Sequence, residues 1–274
     1  MKYFLDTEFL EGKQDKTILG FKYGETKPTI DMISIGIISE DNREYYAISK
    51  EFNLKEAWNR FQLEQQSGDM RNVFPKGKKI YWLRHNILKP IYDELFQKWQ
   101  TDNNSLTGDE YVYFNYYNLK KLINKYGKTN KEIADDIIKF CKPLTHSYHR
   151  VTSVSNSKAI KEINIPIVNT DRTAPEFYAY YADYDWVVFC WLFGKMINLP
   201  NGFPMYCIDL KQELDKVAKN LYYKCGGDNK FNDVNDFLER EFKKWGHYPK
   251  QTNEHNALAD AHFNKELCKF LNEF

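Results

Sequence analysis

Residues 3–9 read Tyr3-Phe4-Leu5-Asp6-Thr7-Glu8-Phe9, an apolar run that ends in two carboxylates. Side chains alternate along a strand, so this run as a strand puts Asp6 and Glu8 on one face, about 7 Å apart. An unpaired carboxylate in the interior is expensive. A divalent cation is the most compact partner that can neutralise both. The alternative is a strand that simply runs out into solvent at Asp6. The choice between the two is made far downstream, at Tyr184-Asp185 and at His255 to Asp260.

Composition sets the bounds. Hydrophobic residues make up 42% of 274, enough for a full core, and the chain is read as one domain, 1–274, with a probable insertion at 101–175. Lys+Arg 39 against Asp+Glu 38 gives a net charge of +1, so no whole-molecule field attracts nucleic acid and any such binding needs a local patch. Cys141, Cys190, Cys207, Cys225 and Cys268 are odd in number and scattered, a reduced cytosolic pattern rather than a disulfide framework or zinc cluster. No apolar stretch is long enough for a signal peptide at the start or for a membrane span elsewhere. The expected protein is soluble and cytoplasmic.

Along the chain, Glu11 to Pro28 reads as a loop or extended hairpin. Ile30 to Ile38 and Glu44 to Ile48 read as strands joined by a turn at Glu40-Asp41-Asn42. Helices are predicted at Leu54 to Gln66 and Tyr81 to Gln100, the second kinked or broken by Pro90. Trp82 and Trp99 lie on its apolar stripe and are assigned to the core. Tyr111 to Tyr126 fits strand or helix, and Lys128 to Lys142 fits a helix with Thr129 and Glu132 as a capping box. His146 and His149 form an HxxH in a polar loop, a weak zinc motif without placed partners. Phe177 to Tyr181 is a strand, and an amphipathic helix follows from Tyr184. Pro204 to Leu210 reads as a strand, with helices at Lys211 to Leu221, Asp233 to Trp245 and Asn256 to Phe270.

Asp185 falls at the start of its helix, which suits a metal ligand or an acid stabilised by the helix dipole. Asp183 is taken as the solvated one of that pair. His255 and Asp260 sit about 140° apart on a continuous helix, so they converge only if His255 lies in the loop before it. Ala257 and Ala261 are small enough to let that helix lie close against the sheet.

Asp6-x-Glu8, Tyr184-Asp185 and His255-x4-Asp260, in this order, resemble the three exonuclease motifs of the DEDD superfamily. A His five residues before the last Asp marks its His-type branch (DEDDh), and Asn256 excludes the Tyr-type. The segments Tyr3 to Phe9, Met32 to Gly36, Arg43 to Ser49, Tyr180 to Val188 and His255 to Ala261 look like ribonuclease AS, a family of bacterial 3′→5′ exoribonucleases associated with adenylate-rich RNA ends. The resemblance implies an α/β fold, a ribonuclease H-like mixed β-sheet flanked by helices, here with a large mostly helical insertion. It also makes a homodimer plausible.

What the resemblance implies for chemistry agrees with the residue types. Asp6, Glu8, Asp185 and Asp260 can hold two divalent ions about 4 Å apart, and hard oxygen ligands favour Mg²⁺ or Mn²⁺. His255 serves as general base. Phe9 and Tyr184, beside the acids, either stack on the terminal bases of single-stranded RNA or simply pack in the core. Three alternatives stay open: a DNA 3′→5′ exonuclease of proofreading or repair type, an inactive scaffold acting as a binding module, and a phosphodiesterase for dinucleotides.

Overall fold

The strand that begins at Lys2 does not stop at the two acids. In the computed structural model of this chain, β1 (Lys2–Gly12) continues because the strand Thr29–Ser39 (β4) pairs with it antiparallel from Tyr3↔Ser39 to Gly12↔Thr29. The register slips once, between Glu8 and Phe9. Such a bulge bends the strand and re-aims the side chains beyond it. The residues described are 1–19, 21–63, 78–103, 113–141, 147–153, 161–167, 174–224, 226 and 230–274.

After β1 come the hairpin strands β2 (Asp15–Ile18) and β3 (Phe21–Glu25), then β4 (Thr29–Ser39), β5 (Glu44–Ile48) and α1 (Leu54–Asn59). A short pair, β6 (Gln62–Leu63) and β7 (Lys79–Ile80), precedes a π-helical turn at Arg84–Leu88 that runs into α2 (Lys89–Asp102). Next are α3 (Tyr116–Tyr126), α4 (Asn130–Cys141), the ribbon β8 (Ser147–Ser153) with β9 (Lys161–Ile167), and β10 (Glu176–Ala179). α5 (Ala182–Leu192), β11 (Ile208–Asp209), α6 (Leu210–Lys224), α7 (Val234–Arg240) and α8 (Ala257–Leu271) complete the order.

Five strands form one mixed sheet in the order β11-β10-β1-β4-β5. β1 is its centre, parallel to β10 and antiparallel to β4. Alternation divides β1 between two layers. Tyr3 and Leu5 join Ile35 and Ile37 under α4 and α5, while Phe4 and Ile38 meet α6, α7 and α8. Leu10 and Ile33 reach a third cluster with Ile87, Ile91 and Leu119 from the π-turn, α2 and α3. Each such aliphatic or aromatic side chain contributes about 1.5–3 kcal/mol on burial. The central strand is therefore held from both faces, and Asp6 and Glu8 share the face that meets α8.

Several expectations are corrected. The helix expected at 54–66 stops at Asn59, because Arg60 turns extended and its guanidinium reaches back to the Glu11 and Lys13 carbonyls. Residues 62–63 then pair as a strand with 79–80, and 64–66 lie outside the described residues. Pro90 sits in the first turn of α2, where no N–H donor is required of it, behind the π-turn. The strand expected at 204–210 contracts to Ile208–Asp209, and the helix expected at 233–245 breaks at Glu241. Within 101–175, α3 and α4 are helical, and Thr129 and Glu132 form the capping box. The same block carries a strand ribbon, so the backbone of His149 is strand rather than loop. His146 lies outside the described residues. Among the described residues no helix is long and apolar enough to cross a membrane.

Candidate active site

Asp6 stands opposite Gly36 on β4, and α8 begins directly above that pair. A Cβ built on Gly36 would lie 2.3 Å from the Ala257 carbonyl carbon and oxygen and from the Leu258 nitrogen. Only a residue without a side chain lets the helix N-terminus come down this far. The approach delivers Asp260, in the first turn of α8, to the acids of β1. Carboxylate oxygens of Asp6, Glu8 and Asp260 lie within 4.8 Å of one another.

The loop before α8 is shaped for the same purpose. Asn253 and His255 both take left-handed backbone conformations, at φ 57° and 68°. That costs about 1–3 kcal/mol for a residue other than glycine, and such strain gathers at functional sites. Asp260 compensates by accepting from the His255 N–H at 2.9 Å, and from Gln251 Nε2 at 2.6 Å. Asn256 caps the helix through Ala259 N–H. His255 therefore lies in the loop and Asp260 on the helix, the one arrangement in which the pair can converge. The imidazole packs edge-on against Trp82, with centroids 4.7 Å apart.

Asp185 arrives from the opposite layer. The chain leaves β10 through Tyr181, itself at φ 55°, and enters α5 at Ala182. This puts Asp185 in the first turn, 5% exposed, while Asp183 stays in solvent. Asp185 Oδ1 accepts from the Thr7 N–H at 3.0 Å and from the Thr7 hydroxyl at 2.5 Å. Thr7 thus ties the α5 acid to the strand residue between the other two. That role went unread in the sequence, although a polar residue on the apolar face of β1 was the available signal.

Four like charges in a buried place resist ionisation. Burial, then Asp260 and Asp185 nearby, push the Glu8 carboxyl up to about 8. Asp185 rises to about 7, mainly by burial, with the Thr7 bonds opposing and Asp209 and Asp260 adding to it. Asp6 is driven well above the carboxylate range by burial and by Asp185, Glu8 and Asp260. Burial raises Asp260 as well, while the bonds from Gln251 and the His255 N–H oppose the rise by stabilising its charge. A set of hard oxygen donors that repel one another is the donor chemistry that Mg²⁺ or Mn²⁺ relieves.

All five side chains border one cavity of about 770 Å³. Phe9 and Tyr184 border it too, their rings 5.7 Å apart, with Tyr184 half exposed. Trp82, expected in the core, is 38% exposed and faces this cavity. The π-turn at Arg84–Leu88 separates it from α2 and shifts the helical phase, so the stripe that assigned it inward does not extend to it. Trp99 packs beside the third core cluster. Gln251 and Gly36 also matter to the site but carry no local motif; a glycine within a β-rich run was the one hint of a close approach.

No family model matches the chain. Over 57 residues it is 44% identical to a 3′-5′ exoribonuclease of Mycobacterium tuberculosis strain ATCC 25618 / H37Rv. It is equally similar to a 3′-5′ exoribonuclease of strain CDC 1551 / Oshkosh. The match covers 21% of this chain and 26% of each relative, so the chain spans about a quarter of the length of the curated relatives it matches.

Proposed function

We propose that this chain is a 3′→5′ exoribonuclease of the DEDDh type, similar to ribonuclease AS, which releases nucleoside 5′-monophosphates from single-stranded RNA. One observation carries the reading: Asp6, Glu8, Asp185, Asp260 and His255 border one cavity, delivered there by β1, α5, α8 and a strained loop. The short stretch of identity to named exoribonucleases supports it, as does a mixed sheet whose central strand bears the first two acids, in keeping with a ribonuclease H-like core.

The four carboxylates would hold two ions, Mg²⁺ or Mn²⁺, which when bound supply an activated water and charge stabilisation at the leaving 3′ oxygen. The chain's own residues do the rest. Thr7 fixes one Asp185 oxygen, and Gln251 and the His255 N–H fix Asp260, so the donors are set before substrate arrives. The His255 imidazole takes the proton of the attacking water as general base. Phe9 and Tyr184 flank the acids and receive the unpaired terminal bases.

Matched RNA and DNA oligonucleotides, oligoadenylate included, incubated with Mn²⁺ and analysed by mass spectrometry test the reading. Nucleoside 5′-monophosphates released faster from RNA support it. Faster release from DNA would transfer the same chemistry to a DNA exonuclease, and no release from either would leave a binding scaffold.

A further inference from the structure

A histidine that serves as a base is ordinarily turned to its task by a third group, hydrogen-bonded to the ring nitrogen that does not react. His255 is held differently. Among the described residues its hydrogen bond is made by the backbone N–H, to Asp260, and no protein group bonds the imidazole. The group set against the ring is an indole. Trp82 meets it in a T-shaped contact, with centroids 4.7 Å apart and planes at 76°. The backbone of His255 is already fixed, at φ 68° and by its bond to Asp260. What a neighbour has left to set is the rotation of the side chain.

Trp82 can set that rotation because it is itself held from behind. Its carbonyl accepts from Asn86 Nδ2 at 2.9 Å, and Leu83, the next residue, packs against the third core cluster. Arg84, at the start of the π-turn, lies 4.0 Å from the Tyr81 ring and 4.5 Å from the Trp58 ring. Its Nε and Nη2 both donate to the Trp58 carbonyl, at 2.9 and 2.6 Å. Trp58 in turn packs on Phe114 and on Tyr116, the first residue of α3. The short segment that carries the indole is therefore tied to α1 and α3, away from the acids. The π-turn supplies the change of helical phase that lets Leu83 face the core while Trp82 faces the cavity.

We propose that Trp82 is a positioning residue for the reaction: its ring, in place of a hydrogen-bonded carboxylate, holds the His255 imidazole at the angle its role as base requires. The inference rests on the exoribonuclease reading and adds to it a residue that touches neither the acids nor the reacting atoms. An edge-to-face contact of this kind favours one arrangement of the two rings by about 2- to 12-fold. A catalytic group displaced by about 1 Å can lose about 10²-fold in rate, so removal of the indole should cost about 10- to 100-fold in kcat. Because Trp82 acts through the imidazole, its effect must vanish once the imidazole is gone. Residues that work as one unit are not additive.

The test is a double-mutant cycle. Hydrolysis of a labelled oligoadenylate with Mn²⁺ is followed for the wild type, Trp82→Ala, Trp82→Phe, His255→Ala and the double variant Trp82→Ala/His255→Ala. Trp82 is 38% exposed, so its truncation leaves the core clusters in place. Trp82→Ala should lower kcat about 10- to 100-fold, with KM and Mn²⁺ affinity kept within about 3-fold. Trp82→Phe retains a ring for the contact and should recover most of the lost rate. In the His255→Ala background, Trp82→Ala should change kcat by less than about 3-fold. Unchanged kcat in Trp82→Ala, an equal loss in both backgrounds, or a loss carried by KM with kcat kept overturns the positioning role, while hydrolysis by the wild type still stands. Absence of Mn²⁺-dependent hydrolysis by the wild type overturns the reading beneath it instead.

Discussion

Gly36 and Ala257 are so close that a methyl group on the first would sit 2.3 Å from backbone atoms of the second. The neighbour is backbone at the start of a helix, so it cannot yield as a flexible side chain does. Gly36→Ala must push α8 outward, and α8 carries Asp260. Overpacking of this kind costs about 1–3 kcal/mol, and a displacement of about 1 Å at a catalytic group can cost 10²-fold in rate. The variant should melt lower, bind Mn²⁺ more weakly and turn over about 10²-fold slower. Wild-type turnover in a folded Gly36→Ala protein would mean that α8 does not set the site.

Asp185→Asn should fold. The amide oxygen can still accept both Thr7 donors, and one charge leaves a crowded buried cluster. Activity should fall by on the order of 10³ or more, since a metal-stabilised transition state is worth several kcal/mol. Titration calorimetry should show weaker Mn²⁺ binding. A variant with normal turnover removes Asp185 from the chemistry.

His255→Ala should keep Mn²⁺ affinity and lose about 10² to 10⁴ in rate, the usual worth of a general base. Steady-state kinetics beside calorimetry separates the two effects. A drop in metal affinity as large as the drop in rate would instead assign His255 a structural role through its N–H to Asp260.

The raised carboxyls make the metal-free protein sensitive to alkali. Glu8 at about 8 and Asp185 at about 7 hold their protons more tightly folded than unfolded, where carboxyls titrate near 4. Their favourable contribution is complete below about pH 4 and is lost as pH rises through 7 and 8. Melting in EDTA should therefore fall by on the order of 5 °C between pH 6 and pH 9, beyond any drop in Asp185→Asn. Mn²⁺ should raise the melting temperature more at pH 9 than at pH 6. A flat profile in EDTA, or equal Mn²⁺ effects at both pH values, contradicts the crowded cluster.

How far the site can be read from sequence depends on what each residue's role requires. Asp6 and Glu8 are visible because strand alternation alone puts them together, and His255 with Asp260 because helical arithmetic demands a loop-and-helix pairing. Thr7, Gly36 and Gln251 act through a register or a tertiary approach that no local pattern encodes. Trp82 sits two residues ahead of a π-turn, and a helical stripe extended over it points it the wrong way. The strands around β1 follow from alternation and turn residues. The early end of α1 follows from Arg60 reaching carbonyls distant in sequence, which only the folded chain brings near.

Single-stranded RNA labelled at its 5′ end, incubated with Mn²⁺ beside a circular RNA of the same sequence, probes the proposed site most directly. The linear strand should shorten one nucleotide at a time from its 3′ end, with no shortening in EDTA or with Asp6→Asn, and the circle should stay intact. Cleavage inside the circle, or shortening that proceeds equally without metal, would contradict a metal-dependent 3′→5′ exonuclease built on these acids.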